Sequence, residues 1–311
     1  MLDTYGVIWN QVKMYCPAAG PFLAQHWVTR SFREVAERRR WSWLFRYAEF
    51  LIPAVYKTGT VTVTRGSATV AGAGTVWTSG MVGRQFRTGG STPIYTVKTF
   101  TNAGSIDLDL PWGGADGAGL SYEIWQAYVT PAADFHAFVV LWDPALNWRL
   151  YTNAFTQKNL DSWDAQRSNS GNAYVVVPLD YDTSSPPLPR YELWPHQKAQ
   201  YVYPYLYEAR PADLGDAGAQ LPRYIRGDVL LEMALEKAAL WPGPSVDEPN
   251  PYFSVGLARE HRARAERMVM ELERQDDEVN SQDFDYASSL PLAPFPDARW
   301  LQSHAEVFVT A

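Results

Sequence analysis

The period of the hydrophobic positions changes along the chain, and the changes mark four segments: 1–56, 57–128, 129–274 and 275–311. The first reads as helical. Val7, Val12, Met14 and Tyr15 can share an apolar stripe ahead of Pro17, and a second helix begins near Pro21 with Phe22, Trp27, Phe32 and Val35 as candidate buried positions. In the second segment GTVTVTRGSATVAGAGTVW alternates small polar and branched residues, the period-two signature of half-buried strands. Residues 85–88, 94–100, 106–110 and 120–126 continue it between Gly- and Asn-rich turns. Short strands with tight turns predict a small β-barrel or sandwich, and helical sequence on both sides makes it an insertion.

The third segment is mixed. Residues 131–135 predict a short helix, and 138–142 and 173–177 predict strands. A helix over 151–165 would bury Leu160 and Trp163. Residues 191–207 predict a long strand or hairpin, bent at Pro195 and Pro204 and therefore suited to a sheet edge. Pro222 suits the first position of a helix, in which Ile225, Val229 and Met233 recur every four residues and which stops at Pro242-Gly243. A further helix carries Leu257, His261, Ala265, Met268 and Leu272 on one narrow stripe. The fourth segment carries Pro291, Pro294 and Pro296, which forbid a regular helix there, together with many apolar residues. It is expected to be an extended arm that docks on another subunit or a partner, or else to pack back on its own domain.

Charge sharpens this picture. The chain of 311 residues has a net charge of −7, which disfavours sequence-independent adhesion to nucleic acid. Segment 275–311 holds Asp276, Asp277, Glu278, Asp283, Asp285, Asp297 and Glu306 against Arg299 alone. Arg38, Arg39 and Arg40 fall near a helix C-terminus, where cations complement the helix dipole; DNA or an acidic neighbour is the alternative use of that cluster. Cys16 is the only cysteine, so neither an intrachain disulfide nor a thiolate metal cluster can form, as expected of folding in a reducing cytoplasm. No membrane-spanning run and no secretory signal are expected. Thirteen Trp and eighteen Tyr suit either broad contact surfaces or a large aromatic core.

Candidate chemistry is sparse. No two histidines have the helical zinc spacing, and no P-loop, nucleophile elbow or dinucleotide fingerprint is present. His261 lies on an apolar stripe and reads as a satisfied core or interface residue. Asp161, Asp164 and Arg167 suit helix-boundary and turn roles, with an ion or sugar as the alternative. Asp107 and Asp109 alternate on one strand face, but sequence spacing does not establish the separation a glycosidase pair needs. Catalytic residues, metal ligands and cofactors are therefore all expected to be absent.

Three stretches carry a family resemblance. They are RRRWSWLFRYAEFLIPAVY; GTVTVTRGSATVAGAGTVWTSGMVGRQFRTGG continued by SIDLDLPWGGADGAGLSYEIWQ; and LDSWDAQRSNSGNA with the run from Arg190 to Gly243. In this order they resemble the head-to-tail adaptor (connector or neck) proteins of tailed bacteriophages. The resemblance implies an α+β fold: a helical-bundle adaptor core with an inserted small all-β barrel or sandwich and an extended C-terminal arm. It further implies a structural virion protein, made in the host cytoplasm, that forms a homo-oligomeric ring, usually twelvefold. That ring would bridge the portal protein and the tail or nozzle proteins, and genomic DNA would pass through without specific binding. Asp283, Phe284, Tyr286, Leu290, Phe295 and Trp300 are the candidate residues for docking on portal or neighbour. A carbohydrate- or receptor-binding tail component acting through the β segment is the alternative.

Overall fold

Helical and alternating stretches separate in space as well as in sequence. The chain forms two compact units, one made of residues 1–45 and 209–311, the other of 46–208. The computed structural model describes residues 4–89, 93–152, 155–182, 185–212, 214–215, 217–222, 225–245 and 247–289, with side chains in the last helix described as far as Glu278.

The first unit is helical. It contains α1 (Tyr5–Tyr15), α2 (Pro21–Ala36), α4 (Gly227–Leu240) and α5 (Val255–Ser289). Ile8, Val12, Phe32, Val229, Ala234 and Val269 meet in its core. Gly6 lets α1 lie against the loop before α4: its N–H donates to the Ala217 carbonyl at 2.8 Å, and a Cβ there would come within 2.5 Å of that oxygen. Asn250 closes the α4–α5 connection, its amide donating to the Ala238 and Trp241 carbonyls at 3.0 and 2.8 Å. The Cys16 thiol sits against its Oδ1 at 3.3 Å, and burial pushes that thiol's pKa up.

The second unit holds α3 (Gln157–Asp164) and three sheets. The largest is ordered β7-β2-β3-β6-β5-β4-β8, with β2 Thr60–Val63, β3 Thr69–Ala73, β4 Gln85–Thr88, β5 Tyr95–Asn102, β6 Ser105–Leu108, β7 Gly117–Leu120 and β8 Tyr122–Trp125. The two edge strands β7 and β8 are joined by Ser121 alone, so the sheet curls into a half-barrel around Val61, Trp77, Phe86, Ile106 and Ile124. A four-stranded sheet runs β1-β14-β10-β11 and a three-stranded one β12-β13-β9. Their strands are β1 Phe45–Ile52, β9 Tyr128–Val129, β10 Phe135–Asp143, β11 Trp148–Arg149, β12 Val175–Tyr181, β13 Pro189–Trp194 and β14 Tyr201–Ala209.

This architecture corrects the expected fold. Among the described residues the molecule is mostly β, with five α-helices and three sheets, and it is α+β only in the loose sense. A helical-bundle core does not run through segment 129–274, because 128–209 supplies six strands. Nor is the β region a closed barrel or a sandwich. The C-terminal arm is not extended at its start: α5 continues to Ser289. Arg274 explains part of this, pairing with Glu271 at i,i+3 and Glu278 at i,i+4, while the first proline comes only at Pro291.

Smaller expectations also shift. Residues 45–52 are a strand rather than helix, with Phe50 and Ile52 buried and Glu49 and Leu51 exposed. α4 starts at Gly227 rather than at Pro222, whose carbonyl accepts from the Ile225 N–H at 2.9 Å. Residues 131–135 form a turn leading into β10. Residues 191–207 divide between two sheets, and β14 is an interior strand despite Pro204 because Tyr203, Tyr205 and Tyr207 are all buried along one face. That aromatic row outweighs one missing ladder bond.

Candidate assembly interface

The arginine cluster finds acids in its own chain. α2 ends at Ala36, and the residues after it turn along α5. Arg38 bridges Glu266 at 2.6 Å and Glu273 at 2.7 Å. Arg39 pairs with Asp277 and lies 3.6 Å from Asp276. Asp276 also accepts from the Ser42 backbone N–H at 3.0 Å and from its hydroxyl. The start of the acidic segment thus meets Arg39, while Glu266 and Glu273 from the preceding turns of α5 meet Arg38. The Arg38 hydrogen bond holds the Glu266 carboxyl below the usual range, and Arg39 does the same for Asp277.

Beside this seam α2, α4 and α5 enclose a cleft of about 520 Å³. Val35, Met233 and Val269 form its floor, and Glu37, Arg38, Arg262 and Glu266 its rim. Glu266 grips both rim guanidiniums, Arg262 at 2.8 Å on one carboxylate oxygen and Arg38 on the other. Glu34, also at the cleft, is held by Lys237 at 3.0 Å. Glu37 is exposed and makes no ion pair with another described residue.

A second surface lies on α1 and α2. Met14 is 79% exposed and Phe22 84%, with Val7 and Tyr15 about half exposed. The sequence puts Val7, Met14 and Tyr15 on one apolar stripe with Val12, and Phe22 among the candidate buried positions. The helices turn Val7, Met14, Tyr15 and Phe22 outward because Tyr5, Gly6, Ile8 and Val12 form the buried face of α1, while α2 buries Trp27, Val28, Phe32 and Val35. Exposed apolar side chains scattered singly are ordinary; a contiguous patch of them marks a contact surface.

The other candidates resolve into structural roles. His261 is satisfied, with Nδ1 at 2.6 Å from Glu232 and Nε2 at 2.7 Å from the Tyr252 hydroxyl. Asp107 accepts from the Thr69 and Thr99 hydroxyls, each at 2.7 Å. Asp109 accepts from the Thr96 N–H at 2.9 Å. Asp164 caps the chain after α3, accepting from the Ser168 and Asn169 N–H groups and from the Trp194 indole at 3.0 Å. Burial pushes its carboxyl up, but these bonds together outweigh burial and the net shift is down.

Arg167 bonds Glu192 at 2.5 Å and Asp161 at 2.6 Å. Glu192, which the sequence reading did not single out, is the buried anchor of this group. Its signal was a lone acid inside an aromatic strand. No group of three or more His, Cys, Asp or Glu residues able to hold a metal ion occurs among the described residues.

The arm residues are only partly placed. The backbone of Asp283, Phe284 and Tyr286 lies within α5, but their side chains lie outside the description, as do Leu290, Phe295 and Trp300 altogether. Among the described residues no helix is long and apolar enough to cross a membrane. No protein-family model matches this chain, and no curated protein is significantly similar to it.

Proposed function

We propose that this chain is a structural subunit of a phage particle, a head-to-tail adaptor that assembles as a ring between portal and tail and leaves a passage for the genome. The outward-facing apolar side chains of α1 and α2 carry the reading, because a ring subunit must bury surface against neighbours on both sides. Met14, Tyr15 and Phe22 supply such surface without contributing to the core. The ordered resemblance of three sequence stretches supports the same reading, and net charge −7 suits a conduit that does not hold DNA.

The carbohydrate-binding alternative draws no support from ring platforms. Trp77, Tyr95, Trp112, Tyr122 and Trp125 are all at most 4% exposed, and among the described residues of 57–128 no aromatic side chain is exposed.

The test is native mass of the full chain, alone and mixed with a portal protein, with images of both samples. Closed particles of many subunits support the adaptor reading. A monomer that ignores portal at every concentration overturns it.

A further inference from the structure

The cleft between α2, α4 and α5 combines features that suit an aromatic side chain flanked by a cation. Val35, Met233 and Val269 line its floor, each at most 6% exposed. Arg38 and Arg262 stand on its rim, both held by Glu266, and a guanidinium can stack on an aromatic ring. Glu37 adds an exposed carboxylate at the same rim. In the chain beyond α5, the only Lys or Arg is Arg299, and Trp300 and Leu301 follow it directly.

We propose that this cleft receives Arg299, Trp300 and Leu301 of a neighbouring copy of the chain. Trp300 lies against the rim guanidiniums over Val35, Met233 and Val269, and Arg299 pairs with Glu37. A bulky aromatic anchored in a pocket, surrounded by polar contacts, is the usual form of an interface hot spot.

Chain length favours a neighbour over the same copy. Roughly 30 Å of helix separates Ser289 from the level of Val269. The stretch from Leu290 to Trp300 spans at most about 40 Å when fully extended, and its prolines shorten that to roughly 34 Å if it is polyproline-like. Returning along its own helix would leave almost no length for reversing direction. A neighbouring copy imposes no such limit. The inference rests on the self-assembly reading above and identifies which surface the arm uses.

The experiment replaces Trp300 of the full chain with a photo-cross-linking aromatic amino acid, in a mixture of ¹⁴N- and ¹⁵N-labelled protein. Mass spectrometry then locates the cross-links while native mass follows assembly. Cross-linked peptides of mixed isotope joining position 300 to 34–38, 233 or 262–269 are expected. Cross-links confined to one chain, or landing elsewhere between copies, overturn the docking proposal while rings in the native spectrum keep the assembly reading. A monomer without cross-links sinks both.

A charge exchange provides the second arm. Glu37→Arg and Arg299→Glu should each weaken self-association on the order of tenfold, with unchanged thermal unfolding. The double variant should recover most of the loss. Equal weakening in all three variants would show that the two side chains do not meet.

Discussion

Two arginine-centred networks in this molecule use the same chemistry at different depths. In the helical unit, Arg38 and Arg39 reach across to α5 with side chains 34% and 26% exposed. In the β-rich unit, Arg167 is 12% exposed and its partner Glu192 3%. Apart from Asp276, 7% exposed, water solvates and screens the first group, so its exposed pairs contribute little. The second is largely withdrawn from water, so its charges depend on one another. For Arg167 burial lowers the pKa, yet Glu192 and then Asp161 outweigh burial and the net shift is up. A surface network positions chains and tolerates losses, whereas a buried one must be complete.

The largest expected effect removes one half of the buried pair. Arg167→Ala leaves Glu192 buried without its cation and should destabilise the β-rich unit by about 3–5 kcal/mol, read by urea unfolding and by hydrogen exchange in β12 and β13. Arg167→Met with Glu192→Met should restore much of that stability. If the double variant is no better than the single one, the charges are not the coupled element.

Trp194→Phe is the next step down. It keeps a ring over Leu160 and Val175 but removes the indole donor to Asp164. The expected cost is about 1–3 kcal/mol, in the same unfolding assay. A cost no larger than that of an ordinary surface substitution would mean that the backbone N–H donors of Ser168 and Asn169 suffice.

Acid separates the two units further. His196 is 3% exposed, and neither ring nitrogen has a hydrogen-bond partner among the described residues. Burial lowers its pKa, with Glu123 and Asp164 opposing and Arg87 and Lys198 reinforcing. The folded state therefore resists a proton that the unfolded chain accepts. Stability is fully present above the ordinary histidine value of 6.5 and falls as pH drops below it. Asp164, whose carboxyl is shifted down, adds a further loss below the ordinary aspartate value of 3.8. His196→Gln should flatten the part of the curve just below pH 6.5, and leave the part below 3.8. An unchanged slope in that window would show that another group titrates there.

The smallest effect belongs to the surface network. Arg39→Ala should cost only about 0.2–1 kcal/mol, and the cost should shrink as salt rises from 0.05 to about 1 M because screening shortens to roughly 3 Å. A salt-independent loss would place Arg39 among the packing residues, through its contact with the Trp41 ring at 5.5 Å.

Legibility in the sequence followed the range of the forces involved. Several half-barrel strands are readable because alternation over four to eight residues depends on local backbone geometry: β4 lies where its residues predict it, and β5 and β6 lie within two residues of expectation. The expected strand 120–126 instead divides at Ser121 between β7 and β8. His261 was readable as satisfied because its stripe is a local helical pattern. Phe22 and Trp163 were misread as buried because hydrophobicity alone does not say which side of a helix faces the core; they are 84% and 54% exposed. Glu192 was passed over because its importance comes from α3 and the loop after it.

What the sequence determined by itself was the distribution of charge, the lone thiol, the short-strand texture of 57–128 and the helical stripes of α4 and α5. These are set by composition and by periods of two or 3.6 residues. Only the tertiary structure decided that Arg39 meets Asp277, 238 positions away, that β7 and β8 are the edges of one curled sheet, and that Met14 and Phe22 face outward. Those outcomes depend on which distant surfaces pack together, and side chains far apart in the chain acquire partners only when that packing is complete.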